Sequence, residues 1–448
     1  MLEAADPAAD IAADAPDLPP QRLGNLLRSC AAQLLKAGYR RSLPVRAFWV
    51  PGRVEVLGKH TDYAGGRSLL MAAQRGLALL ATPRRDAVLE AMVSGAGRVR
   101  IELGGGLRPA AANWTRYAMT VARRLARNFP QPPPKGLAVA VASDLPPASG
   151  MSSSSAMIVG FYRVLADRNR LDERDDFRRD IPDDLALAEY LSCVENGRSF
   201  GRLAGDAGVG TAGGSEDHVA ILCCQAGMLS QYSFAPVRFE DRLRPPEGLT
   251  FAVAVSGVAA AKTGAAMRSY NRAAAVARVA VEAWNQATGR RDPHLGAAMA
   301  GGPGAASALR DVLRRARHCE FAPGELAGRA EQFEAECRLV PQAVEALRGG
   351  HYARLGELVD ISQGLARRWL GNQAPQTIAL AAQARELGAL AASAFGAGFG
   401  GSVWALVESS TAGRFLQSWR RRYAAIFPAE ARRAEFFTTL PAGPARRF

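Results

Sequence analysis

The run from Pro51 to Gly66, PGRVEVLGKHTDYAGG, packs Arg53, Lys59, His60 and Asp62 into one short stretch that ends in paired glycines. Sugar hydroxyls both donate and accept hydrogen bonds, and an imidazole next to a carboxylate offers both kinds of partner. The run therefore suits a loop that grips a polyhydroxylated ligand. A second run, LPPASGMSSSSA from Leu145 to Ala156, lies between an apolar strand-like segment and an apolar helix-like one. Unpaired Gly and Ser amides at a helix N-terminus attract anions, and the helix dipole adds to that pull. Its serine hydroxyls can reach phosphate oxygens or a magnesium ion. The same run also reads as a helix cap with a flexible serine linker. It is not a Walker loop, because no Gly-Lys-Ser/Thr follows. A third run, SAFGAGFGGS from Ser393 to Ser402, has glycines that let backbone approach a ligand closely.

These runs need elements to hold them. The chain has 448 residues, which predicts two domains, and 48% apolar residues are enough for ordinary cores. Residues 1–20 are Ala/Asp/Pro-rich without periodicity and predict a disordered extension. A helix is expected from Pro20 to Gly38, then strands at Val45–Val50 and Val54–Leu57, more strands over 68–104, and a helix over Ala112–Asn128. A strand over Gly136–Ala142, a helix from about Ser153 to Ala166 and another over Pro182–Asn196 follow. Leu249–Ser256 reads as a strand, helical patterns dominate 265–390, and Ser393–Val407 reads as a glycine loop running into a strand. Strand-rich and helix-rich halves predict an α+β protein of two lobes, residues 21–240 and 245–448.

The formal charge is +14, carried mostly by arginines scattered along helical stretches, with lysines only at 36, 59, 135 and 262. No single basic block argues for nucleic acid, and positive potential also steers phosphate-rich small substrates. Six cysteines show neither metal-ligand spacing nor a disulfide framework, which points to a reducing cytoplasm. No apolar run reaches the length of a membrane span, and no signal peptide is evident. A monomer is expected.

In this order the three runs resemble the three motifs of the GHMP small-molecule kinases, most of all the galactokinase branch. That family's first motif reads roughly PGRVNLIGEHTDYNGG, its second PxxxGLSSSA and its third GGGFGG. The resemblance spans about residues 44 to 440 and implies a two-lobed α+β fold with the active site in the cleft between the lobes, and an ATP-dependent sugar-1-kinase that uses ATP and Mg2+ and acts on galactose or a close relative. It implies that Asp217, in the segment GGSEDH, is the catalytic aspartate beside Arg53. Gly150, Met151, Ser152, Ser153 and Ser154 would cradle phosphates, with Trp114, Gly398 and Gly400 also on the ATP side. Ser154 and Glu195 would hold magnesium. Lys59, His60, Asp62, Gly214 and Tyr270 would face the sugar. Trp114 and Tyr117 read equally as helix core, and a lone helical Glu195 as a solvated residue.

The chain departs from the family at Lys59, where galactokinases carry a Glu that contacts the C6 hydroxyl. A lysine there would suit a carboxylate, so a galacturonate-like uronic acid is the alternative substrate. Lys59 could equally turn to solvent or pair with Glu55 or Glu216. Glu55 replaces Asn, His218 replaces Gln, and Glu216 adds a charge beside Asp217. A catalytically silent sugar and ATP sensor is the reading from another class.

Overall fold

The computed structural model describes residues 15–104, 107, 113–258 and 264–448. Two β-sheets organise it. The first has eight strands: β1 (Arg46–Leu57), β2 (Arg67–Pro83), β3 (Val88–Val93), β4 (Gly97–Glu102), β5 (Leu137–Ser143), β6 (Leu229–Ser233), β7 (Arg238–Leu243) and β12 (Arg446–Arg447). Its main order is β12-β1-β2-β5-β3-β4, with β6 on the other end of the long β2. Pairing is antiparallel except between β3 and β5. The two strands expected around residues 45–57 are one strand, irregular near Pro51–Arg53 and near Glu55–Leu57.

Four helices serve this sheet near the site. α1 (Pro20–Lys36) packs on β2 and β5. α2 (Thr115–Asn128) lies against α3 (Ser153–Asn169), which packs on β1 and β2. α3 is buried almost all round, which is why its sequence is apolar without a polar stripe. α4 (Asp184–Asn196) starts on the Asp183 cap, whose side chain accepts from the Ala186 amide, and ends at the left-handed Gly197.

The second sheet has the order β11-β8-β10-β9, all antiparallel, from β8 (Leu249–Val255), β9 (Ala391–Phe395), β10 (Ser402–Glu408) and β11 (Glu435–Thr439). Alternation splits β8 cleanly. Phe251, Val253 and Val255 join the large core shared with the first lobe, while Ala252 and Ala254 join a separate core with Leu380, Trp419 and Tyr423. The small alanines leave room for the aromatic side chains beyond them. Long helices complete the lobe: α6 (Gly264–Thr288), α7 (Pro323–Arg348) and α8 (Tyr352–Leu365). A short helix, α5 (Glu216–Cys223), sits on α4 and β1.

Two expectations need correction. Residues 15–20 are not an extension. Ala15 and Leu18 are buried in the main core, and Asp17 accepts from the Gly443 amide and pairs with Arg446. Residues 1–14 lie outside the described residues. The second half also does not stay in its own lobe, since β12 pairs with β1 in the first sheet.

Candidate active site

The three loops meet. β1 holds the serine loop directly: the Arg53 amide donates to Met151 O at 3.2 Å, and Arg53 Nη1 donates to Gly150 O at 2.7 Å. The loop curls through three left-handed residues, Ala148, Gly150 and Ser152, before α3 begins at Ser153. The third loop closes on it from the other lobe. Ser402 Oγ donates to Ser149 O at 2.7 Å. Gly396 is left-handed (φ 81°), and a Cβ there would lie 2.5 Å from Gly150 O, so only glycine lets the two loops touch.

Under this junction lies a cavity with about 510 Å3 of empty space, mouth included. Its floor is Asp217, in the first turn of α5, where the helix dipole favours a carboxylate. Arg53 grips Asp217 Oδ1 from Nε at 2.9 Å and from Nη2 at 2.7 Å. Arg53 is 4% exposed, and its neighbouring carboxylates outweigh burial and push its pKa further up, so it stays a cation. Ser155 Oγ stands 3.2 Å from Asp217 Oδ2 and 2.8 Å from Glu195 Oε2. His218 Nε2 lies 3.2 Å from the same Glu195 oxygen.

The loop after β1 forms another wall. His60 has a left-handed backbone (φ 58°), a conformation that costs a non-glycine residue about 1–2 kcal/mol and persists only when its surroundings impose it. They do: Arg329 on α7 donates to His60 O at 2.6 Å, His60 Nδ1 meets the Tyr63 hydroxyl at 2.8 Å, and Nε2 meets Ala397 O at 3.1 Å. The Tyr270 ring, on α6, lies 5.4 Å from the imidazole. Asp62 accepts from the Glu216 amide at 3.3 Å. A Cβ on Gly214 would sit 2.6 Å from Asp62 Oδ2, so glycine is required for that close approach.

Arg53, His60, Asp62, Glu195, Asp217 and Tyr270 thus share one cavity, with Gly214 in its wall. Lys59 does not share it, which corrects the expectation that it faces the sugar. The side chain is 1% exposed and runs behind the loop, where Nζ donates to Ser362 Oγ at 2.9 Å. Ser362 passes the contact on to Glu336 Oε1 at 2.5 Å, and Glu336 Oε2 accepts from the Gly58 amide at 3.0 Å. Lys59 is therefore neither solvated nor at the cavity wall.

Ser154 is likewise absent from the lining, and Ser155 takes the place facing Glu195. One residue rotates a helix by about 100°, and a run of four serines cannot say which one faces inward. Met151, Ser152, Ser153 and Gly150 form the loop above the cavity and do not line it. Gly398 and Gly400 shape the third loop against Asn372 and Val258, while Gly396 and Ala397 reach the cavity. Trp114 sits half-buried at the start of α2, its Nε1 donating to Ala96 O at 2.9 Å, away from the cavity. The sequence reading missed Asn196, Thr211 and Ser155 in the lining. Asn196 directly follows Glu195 at the end of α4, a signal that could have found it.

No helix among the described residues is long and apolar enough to cross a membrane. Comparison with known proteins gives three family matches: the galactokinase galactose-binding signature over residues 36–83, the GHMP kinases N terminal domain over 116–225 and the GHMP kinases C terminal over 343–425. The galactokinase of Chloroflexus aggregans is 26% identical over 392 residues, covering 85% of this chain and 88% of that protein. The Roseiflexus galactokinase is 27% identical over 380 residues, covering 83% and 86%. The galactokinase of Lactococcus lactis, solved in complex with galactose, superposes with a TM-score of 0.78 at 20% identity, covering 94% of this chain and 98% of that one. A mevalonate kinase of Leishmania major superposes at 0.53 and 15% identity, covering 88% and 96%. The chain belongs to the GHMP kinase family, with the two-lobed α+β fold of that family, and is a phosphotransferase of galactokinase type.

Proposed function

We propose that the chain transfers the terminal phosphoryl group of ATP to the anomeric hydroxyl of galactose or a close relative. The observation that carries this reading is Asp217, doubly held by Arg53 on the cavity floor, with the serine loop bonded to the same guanidinium. A sugar hydroxyl is a weak nucleophile, and phosphoryl transfer mainly needs alignment and charge neutralisation. Asp217 accepts the hydroxyl proton. Arg53 keeps that carboxylate ionised and faces the charge that develops on the transferring group. His60, Asp62, Tyr270 and the Gly214 backbone orient the sugar ring. The amides of Gly150 to Ser154 turn the start of α3 toward the phosphates.

A nucleotide of this kind arrives with magnesium. The donor set fits: the Ser155 hydroxyl and the Glu195 carboxylate are hard oxygen ligands 2.8 Å apart, and magnesium takes one or two such ligands besides phosphate oxygens and water. When bound it neutralises phosphate charge. The uronate alternative loses its carrier, because Lys59 points away from the cavity.

The test is ADP release with ATP-Mg and galactose, with the product identified by phosphorus NMR. Turnover to a sugar 1-phosphate is expected. Phosphorylation at another carbon, or no ADP with any hexose, would overturn the reading.

A further inference from the structure

The cavity is acidic. Its wall sets Arg53 against five carboxyl side chains, those of Glu55, Asp62, Glu195, Glu216 and Asp217. They fall into two groups. Glu195 stands with Ser155 and His218 on one side of Asp217. Glu55 and Glu216 stand on the other, toward the loop that carries Asp62. Arg53 gives its short contacts, from Nε and Nη2, to Asp217 and reaches this second group only as a longer ion pair, with Glu216 Oε1 3.8 Å away.

Glu55 follows Arg53 by two residues on β1, so both side chains leave the same face of the strand. It is 2% exposed, lines the cavity, and its Oε1 has no hydrogen-bond partner. Glu216 is 4% exposed and takes one donor, the Ser68 hydroxyl at 2.7 Å. Lys59 lies near Glu55 but is bonded to Ser362. Burial pushes both carboxyls up; at Glu55 the charges of Arg53 and Lys59 and a hydrogen bond shared with Glu216 pull the other way, while at Glu216 the charges of Glu55 and Asp62 add to burial and outweigh Arg53. The two acids share a hydrogen bond, and Glu55 Oε1 is left without a donor beside the cavity. A neutral hydroxyl can donate once to it. An ammonium brings three donors and a charge. A sugar carboxylate would be repelled.

We propose that Glu55 and Glu216 form a cation-selecting subsite at the sugar end of the cavity, taking an acceptor sugar that carries a protonated amine. This rests on the sugar-kinase reading above, and the test separates the two. ADP release and calorimetric binding are measured for galactose, galactosamine, 6-amino-6-deoxygalactose and galacturonate. At least one amino sugar is expected to exceed galactose in kcat/KM by roughly tenfold or more, as a bond to a charged group allows, with galacturonate lowest. In Glu55→Gln the ratio of amino sugar to galactose falls to about two or below, and Glu216→Gln moves it the same way. Galactose equal to or better than both amino sugars in the wild type overturns the proposal, whatever the variants do. A preference unchanged in both variants overturns the assignment to these residues. Tight binding of an amino sugar with no ADP release sinks the kinase reading and supports the subsite.

Discussion

Two buried charge clusters flank the loop from Gly58 to Gly66, built from the same parts. In front lie Arg53, Asp217 and Ser155; behind lie Lys59, Glu336 and Ser362. Each joins a cation, a carboxylate and a serine hydroxyl at hydrogen-bond distance. The front cluster opens into the cavity, and the rear one is sealed by α7 and α8. Chemistry requires access as well as charge. The rear cluster has no route to a ligand, so its charges fix the loop that presents His60 and Asp62. Residue type alone does not distinguish a reactive cluster from a scaffolding one; the side on which the next helix packs does.

The sharpest way to break this contrast is Asp217→Asn, which keeps the shape and removes the base. Turnover should fall at least about 100-fold, as loss of a general base does, with ATP affinity little changed by calorimetry. Retention of more than a tenth of the turnover would take Asp217 out of its role. Next comes Lys59→Met behind the loop. It takes from buried Ser362 its charged donor and should cost about 2 kcal/mol in denaturant unfolding. Lys59→Met combined with Glu336→Gln should recover part of that loss, because the two sites are coupled. Sugar KM should rise more than kcat falls, the reverse of Asp217→Asn.

A smaller effect probes the border between the clusters. The Glu216 carboxyl is pushed well up by burial and by Glu55 and Asp62, so the folded protein holds that proton to higher pH than the unfolded chain does. Its contribution to stability is therefore present at acid pH and falls as pH rises from the ordinary glutamate value upward. Glu216→Gln should flatten that slope, gaining about 1 kcal/mol or more on the wild type between pH 5 and pH 8 in thermal unfolding. A constant difference across that range would deny the shift. The smallest effect is expected from Ser402→Ala, which deletes the bond to Ser149 O. It should cost about 1 kcal/mol and show mainly as a raised KM for ATP.

Much of the front cluster was legible in the sequence. Arg53, His60 and Asp62 sit in a short run whose residue types suit a polyhydroxylated ligand, and the glycines beside them mark close approaches, whereas Asp217 stood out only through the resemblance to the galactokinase motifs. The fold class was legible for a similar reason, since strand and helix periods change clearly along the chain. The rear cluster was not. Lys59 takes its direction from Glu336 and Ser362, which lie far along the chain on ordinary-looking helices. The choice of Ser155 over Ser154 depends on helix phase within a uniform serine run. Residues 15–20 look extended by composition, yet Asp17 meets Arg446 and Gly443 across almost the whole chain.

That distant pairing reaches further than local order. After the second sheet, the chain returns to the first: Ala442 N donates to Ala72 O, Ala445 N to Ile221 O and Phe448 N to Ala47 O. The two sheets are therefore joined by two covalent crossings, one between β7 and β8 and one between β11 and β12. The core that β8 shares with the first lobe fastens the sheets between those crossings, so the third loop is anchored above Asp217 by chain connection and by packing together.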